Sequence, residues 1–200
     1  MKKAVLYVHG KGGNAGEKDF YGNLCKQYDV FGLDYKSDTP WDAKKEFPSL
    51  FEDVCGEYDD VTLIANSIGA FFSMNSLADV PKISKALFIS PIVDMEKLIC
   101  DMMTWTNVTE RQLESRGEIP TDFGETLSWE YLCYVRQNPV FWDKPTKLLY
   151  AERDNLTSLD TVTEFAKSHN AALTVAKNAE HWFHTEEQLE FLADWIKNSI

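Results

Sequence analysis

Val61-Thr62-Leu63-Ile64-Ala65-Asn66-Ser67-Ile68-Gly69-Ala70 carries an apolar strand straight into a helix, with a serine at the turn. The residues two positions before and after that serine, Ala65 and Gly69, are both small, and larger side chains there would collide where strand and helix nearly touch. A serine on so sharp a turn has its hydroxyl lifted out of the sheet. The helix start also presents free backbone N–H groups and the positive end of a helix dipole to a developing oxyanion. The competing reading is a serine that only caps its helix.

On both sides of this segment, short apolar runs alternate with longer stretches whose apolar residues have helical spacing. Strands are expected at residues 4–8, 30–34, 61–65, 86–90, 147–151 and 173–176, and helices at 17–27, 41–57, 67–77, 159–169 and 185–198. Runs such as Val5-Leu6-Tyr7-Val8 are apolar at every position, which suits strands covered on both faces of a parallel sheet. The last helix has Thr185 three residues before Gln188, a capping-box spacing. Between residues 91 and 146, about fifty residues pass without a convincing strand, too many for an ordinary strand-to-helix connection. Helix-like pieces at 95–105, 110–116 and 128–136, punctuated by Gly117, Pro120, Gly124 and Pro139, make this an inserted helical cap. The expected architecture is a single α/β domain over 1–200. It is a three-layer sandwich with a mostly parallel six-stranded sheet, helices on both faces, and residues 92–146 as the cap.

Two hundred residues, 44% of them hydrophobic, can bury one substantial core but are few for two. The apolar run after Lys2-Lys3 is too short for a signal-peptide core, and no stretch approaches the roughly 18 apolar residues of a membrane span. A cytoplasmic location is therefore expected. The four cysteines, Cys25, Cys55, Cys100 and Cys133, are widely spaced and show no metal-ligand pattern, so buried free thiols are expected, with no metal and no cofactor. A net charge of −12 disfavours nucleic acid and anionic membrane surfaces as partners. The partner left is a small-molecule substrate, with the chain acting as monomer or homodimer.

The first strand runs into His9-Gly10-Lys11-Gly12-Gly13-Asn14. Its glycines fit neither G-x-x-x-x-G-K-[ST] nor G-x-G-x-x-G, which makes nucleotide binding a poor reading. A serine hydroxyl needs an adjacent base, and the chain has four histidines. His169 terminates an expected helix. His184 adjoins another, and its H-x-x-H spacing with His181 lacks further ligands. His181 follows the last strand in a loop at the same sheet edge as Ser67.

Together these segments resemble the α/β hydrolases over nearly the whole chain outside the cap, although the first strands of larger members are missing. Ala65 to Gly69 is similar to their G-x-S-x-G nucleophile elbow, with Ala65 in place of the first glycine. The His9-Gly10 loop resembles their oxyanion loop, and Ala179-Glu180-His181-Trp182-Phe183-His184 their C-terminal histidine loop. The resemblance implies Ser67 as nucleophile, His181 as base, and the backbone N–H groups of Lys11 and Ile68 as oxyanion donors, with His9 tying down its loop. The acid is implied to be Asp154, in Glu152-Arg153-Asp154-Asn155-Leu156, with Asp94 as the rival because some members place it there. The order Ser67, Asp154, His181 matches the family's order.

The implied chemistry is hydrolysis of a carboxylic ester through an acyl-enzyme. Thioester and amide cleavage use the same machinery, and a non-catalytic binding module on the same fold is the reading from another class. Met102, Trp105 and Trp129 in the cap and Trp182 beside the base are candidates to line an apolar pocket for a small or medium acyl or aryl group. The competing reading is that the cap residues only anchor the cap.

Overall fold

The computed structural model describes residues 2–200. Its first strand, β1 (Lys3–Val8), leaves residues 4–8 at most 1% exposed, as its unbroken apolar character requires. A 3-10 turn at Ala15–Glu17 leads into α1 (Lys18–Leu24) and then β2 (Asp29–Gly32). The second strand begins and ends slightly before its expected position, although Leu33 still donates its N–H to the Tyr7 carbonyl. In α2 (Pro40–Cys55), Thr39 caps the helix by accepting the Asp42 N–H, and Pro40 sits where a helix has no N–H to lose. β3 (Asp60–Asn66), α3 (Ile68–Leu77) and β4 (Ile83–Ile89) follow.

The insertion then supplies α4 (Met95–Trp105), α5 (Glu110–Arg116), β5 (Glu118–Pro120), β6 (Thr126–Ser128) and α6 (Trp129–Gln137). The chain returns through β7 (Thr146–Ala151), α7 (Leu159–Ser168), β8 (Ala172–Ala176) and α8 (Glu186–Lys197).

Six strands form one parallel sheet in the order β2-β1-β3-β4-β7-β8. From β1 the chain steps one way to β2 and the other way to β3, so the strand order reverses there. Right-handed crossovers place α1 on one face of the sheet and α2, α3 and α7 on the other. The last helix closes the first face: Leu192, Trp195 and Ile196 pack with Tyr21 of α1 against Val5, Tyr7, Ile64, Leu87 and Leu149. This is the expected three-layer α/β sandwich.

Asp94–Val140 forms a compact unit of its own, and the remaining described residues form the other. Within the insertion, Arg136 of α6 donates to Glu96 of α4 and to Glu110 of α5, linking its three helices. The insertion is not wholly helical: β5 and β6 pair antiparallel. Each has three residues with one buried apolar side chain, Ile119 or Leu127, too little for a period-two pattern to register in the sequence. Cys25 and Cys55 are buried free thiols as expected, and burial pushes the Cys55 thiol up to about 12. Cys100 and Cys133, in the insertion, are only partly buried, which corrects the expectation for them. Among the described residues no helix is long and apolar enough to cross a membrane.

Candidate active site

Registers Val8↔Ala65, Asn66↔Ile89, Ile89↔Leu149 and Ala151↔Ala176 align the ends of five strands, so the loops beginning at His9, Ser67, Ser90, Glu152 and Lys177 leave from one sheet edge. Ser67 has φ 51° and ψ −122°, a backbone conformation rare for a residue with a side chain. Its surroundings hold it there: its N–H donates to the Ile89 carbonyl at 3.0 Å, and its carbonyl accepts from Ala70 at 3.1 Å and Ile92 at 3.2 Å. The Ser67 side chain makes no capping bond to α3. The helix-cap reading of this serine therefore fails.

Two glycines make the turn possible. A Cβ on Gly69 would lie 2.3 Å from the His9 carbonyl oxygen, and one on Gly10 would lie 3.1 Å from the Ser67 Cβ. The loop after β1 thus runs directly against the serine. Gly69→Ala is expected to destabilise the protein by roughly 3 kcal/mol, because backbone on both sides would have to move. Urea unfolding checks this, and an unchanged midpoint would contradict it.

The imidazole of His181 is hydrogen-bonded at both ends. Its Nε2 is 2.9 Å from Ser67 Oγ and its Nδ1 is 2.7 Å from Asp154 Oδ2. A carboxylate only accepts, so Nδ1 carries the proton and Nε2 is free to accept from the serine hydroxyl. The side chains are 5% exposed for His181 and 0% for Asp154, which shields the pair from water. Asp154 is itself held by the turn after β7: its Oδ1 accepts the N–H groups of Leu156 at 2.8 Å and Thr157 at 3.1 Å, and the Tyr150 hydroxyl donates to the Thr157 carbonyl.

Sequence reasoning missed how the histidine loop is fastened. The Glu152 carboxylate accepts the Asn178 N–H at 2.8 Å, and the Arg153 guanidinium donates to the Asn178 side chain at 2.8 Å. Further along, the Gln188 side chain on the first turn of α8 accepts the His184 N–H at 3.1 Å. The residues flanking Asp154 therefore bind one end of the loop that carries His181, and the last helix binds the other. A hint lay in the sequence: Glu152 and Arg153 are charged residues immediately after a buried strand.

The other candidates fall into place around this line. Lys11 follows Gly10 in the loop against Ser67, and Ile68 is the first residue of α3, where an N–H has no intrahelical acceptor. His9 donates through Nδ1 to the Gly10 carbonyl at 2.8 Å and stacks on Tyr35, the tying role expected of it. His169 ends α7 with its ring stacked on Phe165. The His184 ring lies 3.5 Å from Glu180. Asp94 caps α4, its Oδ1 accepting the Lys97 N–H at 2.9 Å, so the structure joins Asp154 and not Asp94 to His181.

Of the residues considered for substrate, Trp182 stands edge-on to the His181 ring and is 70% exposed. Met102 and Trp105 lie on α4 and Trp129 opens α6, all within the inserted unit, where Trp105 packs against Phe123. Among the described residues no group of three or more His, Cys, Asp or Glu side chains is placed to hold a metal ion.

No protein-family model and no curated protein matches this sequence. Solved structures do match. Mouse alpha/beta hydrolase domain-containing protein 10 superposes with TM-score 0.78 at 14% identity, covering 98% of this chain and 88% of its own. Est1E from Butyrivibrio proteoclasticus gives 0.76 at 15%, covering 99% and 87%. The esterase Pf2001 of Pyrococcus furiosus gives 0.61 at 19%, covering 98% and 83%. The chain has the α/β hydrolase fold. Structures similar to it in that fold include proteins named as esterases and as hydrolases.

Proposed function

We propose that the protein is a serine hydrolase that cleaves a carboxylic ester of a small or medium, apolar acyl or aryl substrate through an acyl-enzyme. The observation that carries this reading is the continuous hydrogen-bonded line from Ser67 Oγ through both nitrogens of His181 to Asp154 Oδ2. In the reaction, His181 Nε2 takes the hydroxyl proton as Ser67 Oγ attacks the ester carbonyl. Asp154 keeps the ring in the tautomer that can accept, and it stabilises the imidazolium that forms. The N–H groups of Lys11 and Ile68 hold the oxyanion. The tetrahedral adduct collapses as His181 returns the proton to the departing alkoxide. Water, activated by the same nitrogen, then releases the acid and restores Ser67.

Trp182 is the residue proposed to meet the apolar part of the substrate. Its exposed ring is next in sequence to the base and in contact with it. An aromatic group also suits the fold neighbour Est1E, solved with ferulic acid bound, at 16% identity to this chain.

The test is hydrolysis of p-nitrophenyl acetate, butyrate and octanoate by the purified protein. Turnover is expected, fastest on the shorter chains. A folded sample that releases nitrophenol no faster than buffer from any of the three would contradict the reading.

A further inference from the structure

Below the candidate nucleophile, four polar side chains form a one-way hydrogen-bonded row that the proposed mechanism does not use. The Tyr21 hydroxyl donates to Asn66 Oδ1 at 3.4 Å, Asn66 Nδ2 donates to the Tyr7 hydroxyl oxygen at 3.1 Å, and the Tyr7 hydroxyl donates to Glu17 Oε2 at 2.5 Å. Glu17 then turns back to the glycine loop, its Oε1 accepting the Asn14 N–H at 3.2 Å. At one end, Asn66 is the residue immediately before Ser67. At the other, Asn14 closes the loop that holds Gly10 and Lys11, whose inner turn is fixed by the Gly13 N–H on the Gly10 carbonyl.

The row has features that plain packing would not call for. Tyr7 is fully buried in the middle of an apolar strand, where a phenylalanine would fill the same space without a hydroxyl to satisfy. Burial pushes the Tyr7 and Tyr21 hydroxyls well above their ordinary range, so both remain donors and the row keeps its direction toward the carboxylate. Glu17 is the only member that accepts twice, from the strand side and from the loop side.

We propose that Glu17 is a positioning residue for ester hydrolysis: by accepting from Tyr7 and from Asn14 together, it sets the oxyanion loop at a fixed distance from the serine elbow. The proposal rests on the serine-hydrolase reading. The two halves of that site come from loops after different strands, and stabilisation of an oxyanion falls steeply when donor and nucleophile drift apart. A carboxylate in this position offers an acceptor oxygen to each loop. Glutamine offers one oxygen, so it can accept from only one of the two loops and presents its N–H₂ to the other.

The experiment compares wild type, Glu17→Gln, Tyr7→Phe, the double variant and Val162→Ala on p-nitrophenyl acetate, well below every melting temperature. Val162 lies buried on α7, away from the row, and controls for lost stability alone. Glu17→Gln is expected to lower kcat about tenfold with KM within twofold. The double variant should be no slower than the worse single variant, and Val162→Ala should melt earlier at undiminished kcat. Because Glu17 is an exposed side chain, its variant tests the idea even if Tyr7→Phe does not fold. Active wild type with Glu17→Gln at wild-type kcat, melting earlier or not, would overturn the positioning role and leave the hydrolase reading standing. Wild type without turnover would remove both.

Discussion

Ser67→Ala is expected to lower kcat on p-nitrophenyl esters by about 10⁶-fold, and His181→Ala by a similar factor. The two should not add, because a serine without its base and a base without its serine are disabled in the same step. The double variant should therefore be as slow as either single one. The Ser67→Ala variant should fold. Ser67 makes no capping bond whose loss would loosen α3, and its backbone bonds to Ile89, Ala70 and Ile92 do not involve the side chain. Alanine at the strained φ of 51° adds no larger group than serine does. Steady-state kinetics on enzyme at high concentration, with circular dichroism as the control for folding, read the outcome. A Ser67→Ala variant within tenfold of wild type would place the chemistry elsewhere.

The second large effect separates two carboxylates. Asp154→Asn should lower kcat by about 10⁴-fold. The new side chain can keep its oxygen on the N–H groups of Leu156 and Thr157, as Asp154 Oδ1 does, but then its N–H₂ faces His181 Nδ1. Two donors cannot share that contact, so the ring moves its proton to Nε2 and can no longer accept from Ser67. Asp94→Asn should stay within twofold of wild type, because asparagine caps a helix as well as aspartate does and the contact to Lys97 survives. The reverse pattern, with the second variant inactive and the first not, would show that the resting hydrogen bonds do not report the working acid.

Those two carboxylates also mark how far the sequence alone reaches. The sheet was legible because the inner stretches of β1, β3, β4 and β7, residues 4–8, 63–65, 86–89 and 148–151, are buried on both faces and so apolar. Ser67 was legible because a sharp strand-to-helix turn needs small neighbours, and the Gly69 contact with the His9 carbonyl is the physical origin of that demand. Between Asp154 and Asp94 the residues themselves were less decisive, since each follows a strand at the same edge and what distinguishes them is which one meets the imidazole.

The hidden hydrogen bonds share a cause, namely partners distant in the chain. Asn66 and Tyr7 are 59 residues apart and Glu152 and Asn178 are 26 apart, and neither pair leaves any local periodicity. The β5–β6 hairpin escaped for the opposite reason: it is local, but too short for alternation to show.

The most direct measurement is to treat the native protein with a fluorophosphonate, digest it, and locate the adduct by mass spectrometry. The geometry predicts one phosphonylated residue, Ser67, with the label lost in Ser67→Ala and much slowed in His181→Ala. A folded protein that takes up no label, or takes it up on another residue with Ser67 unmodified, would contradict the account.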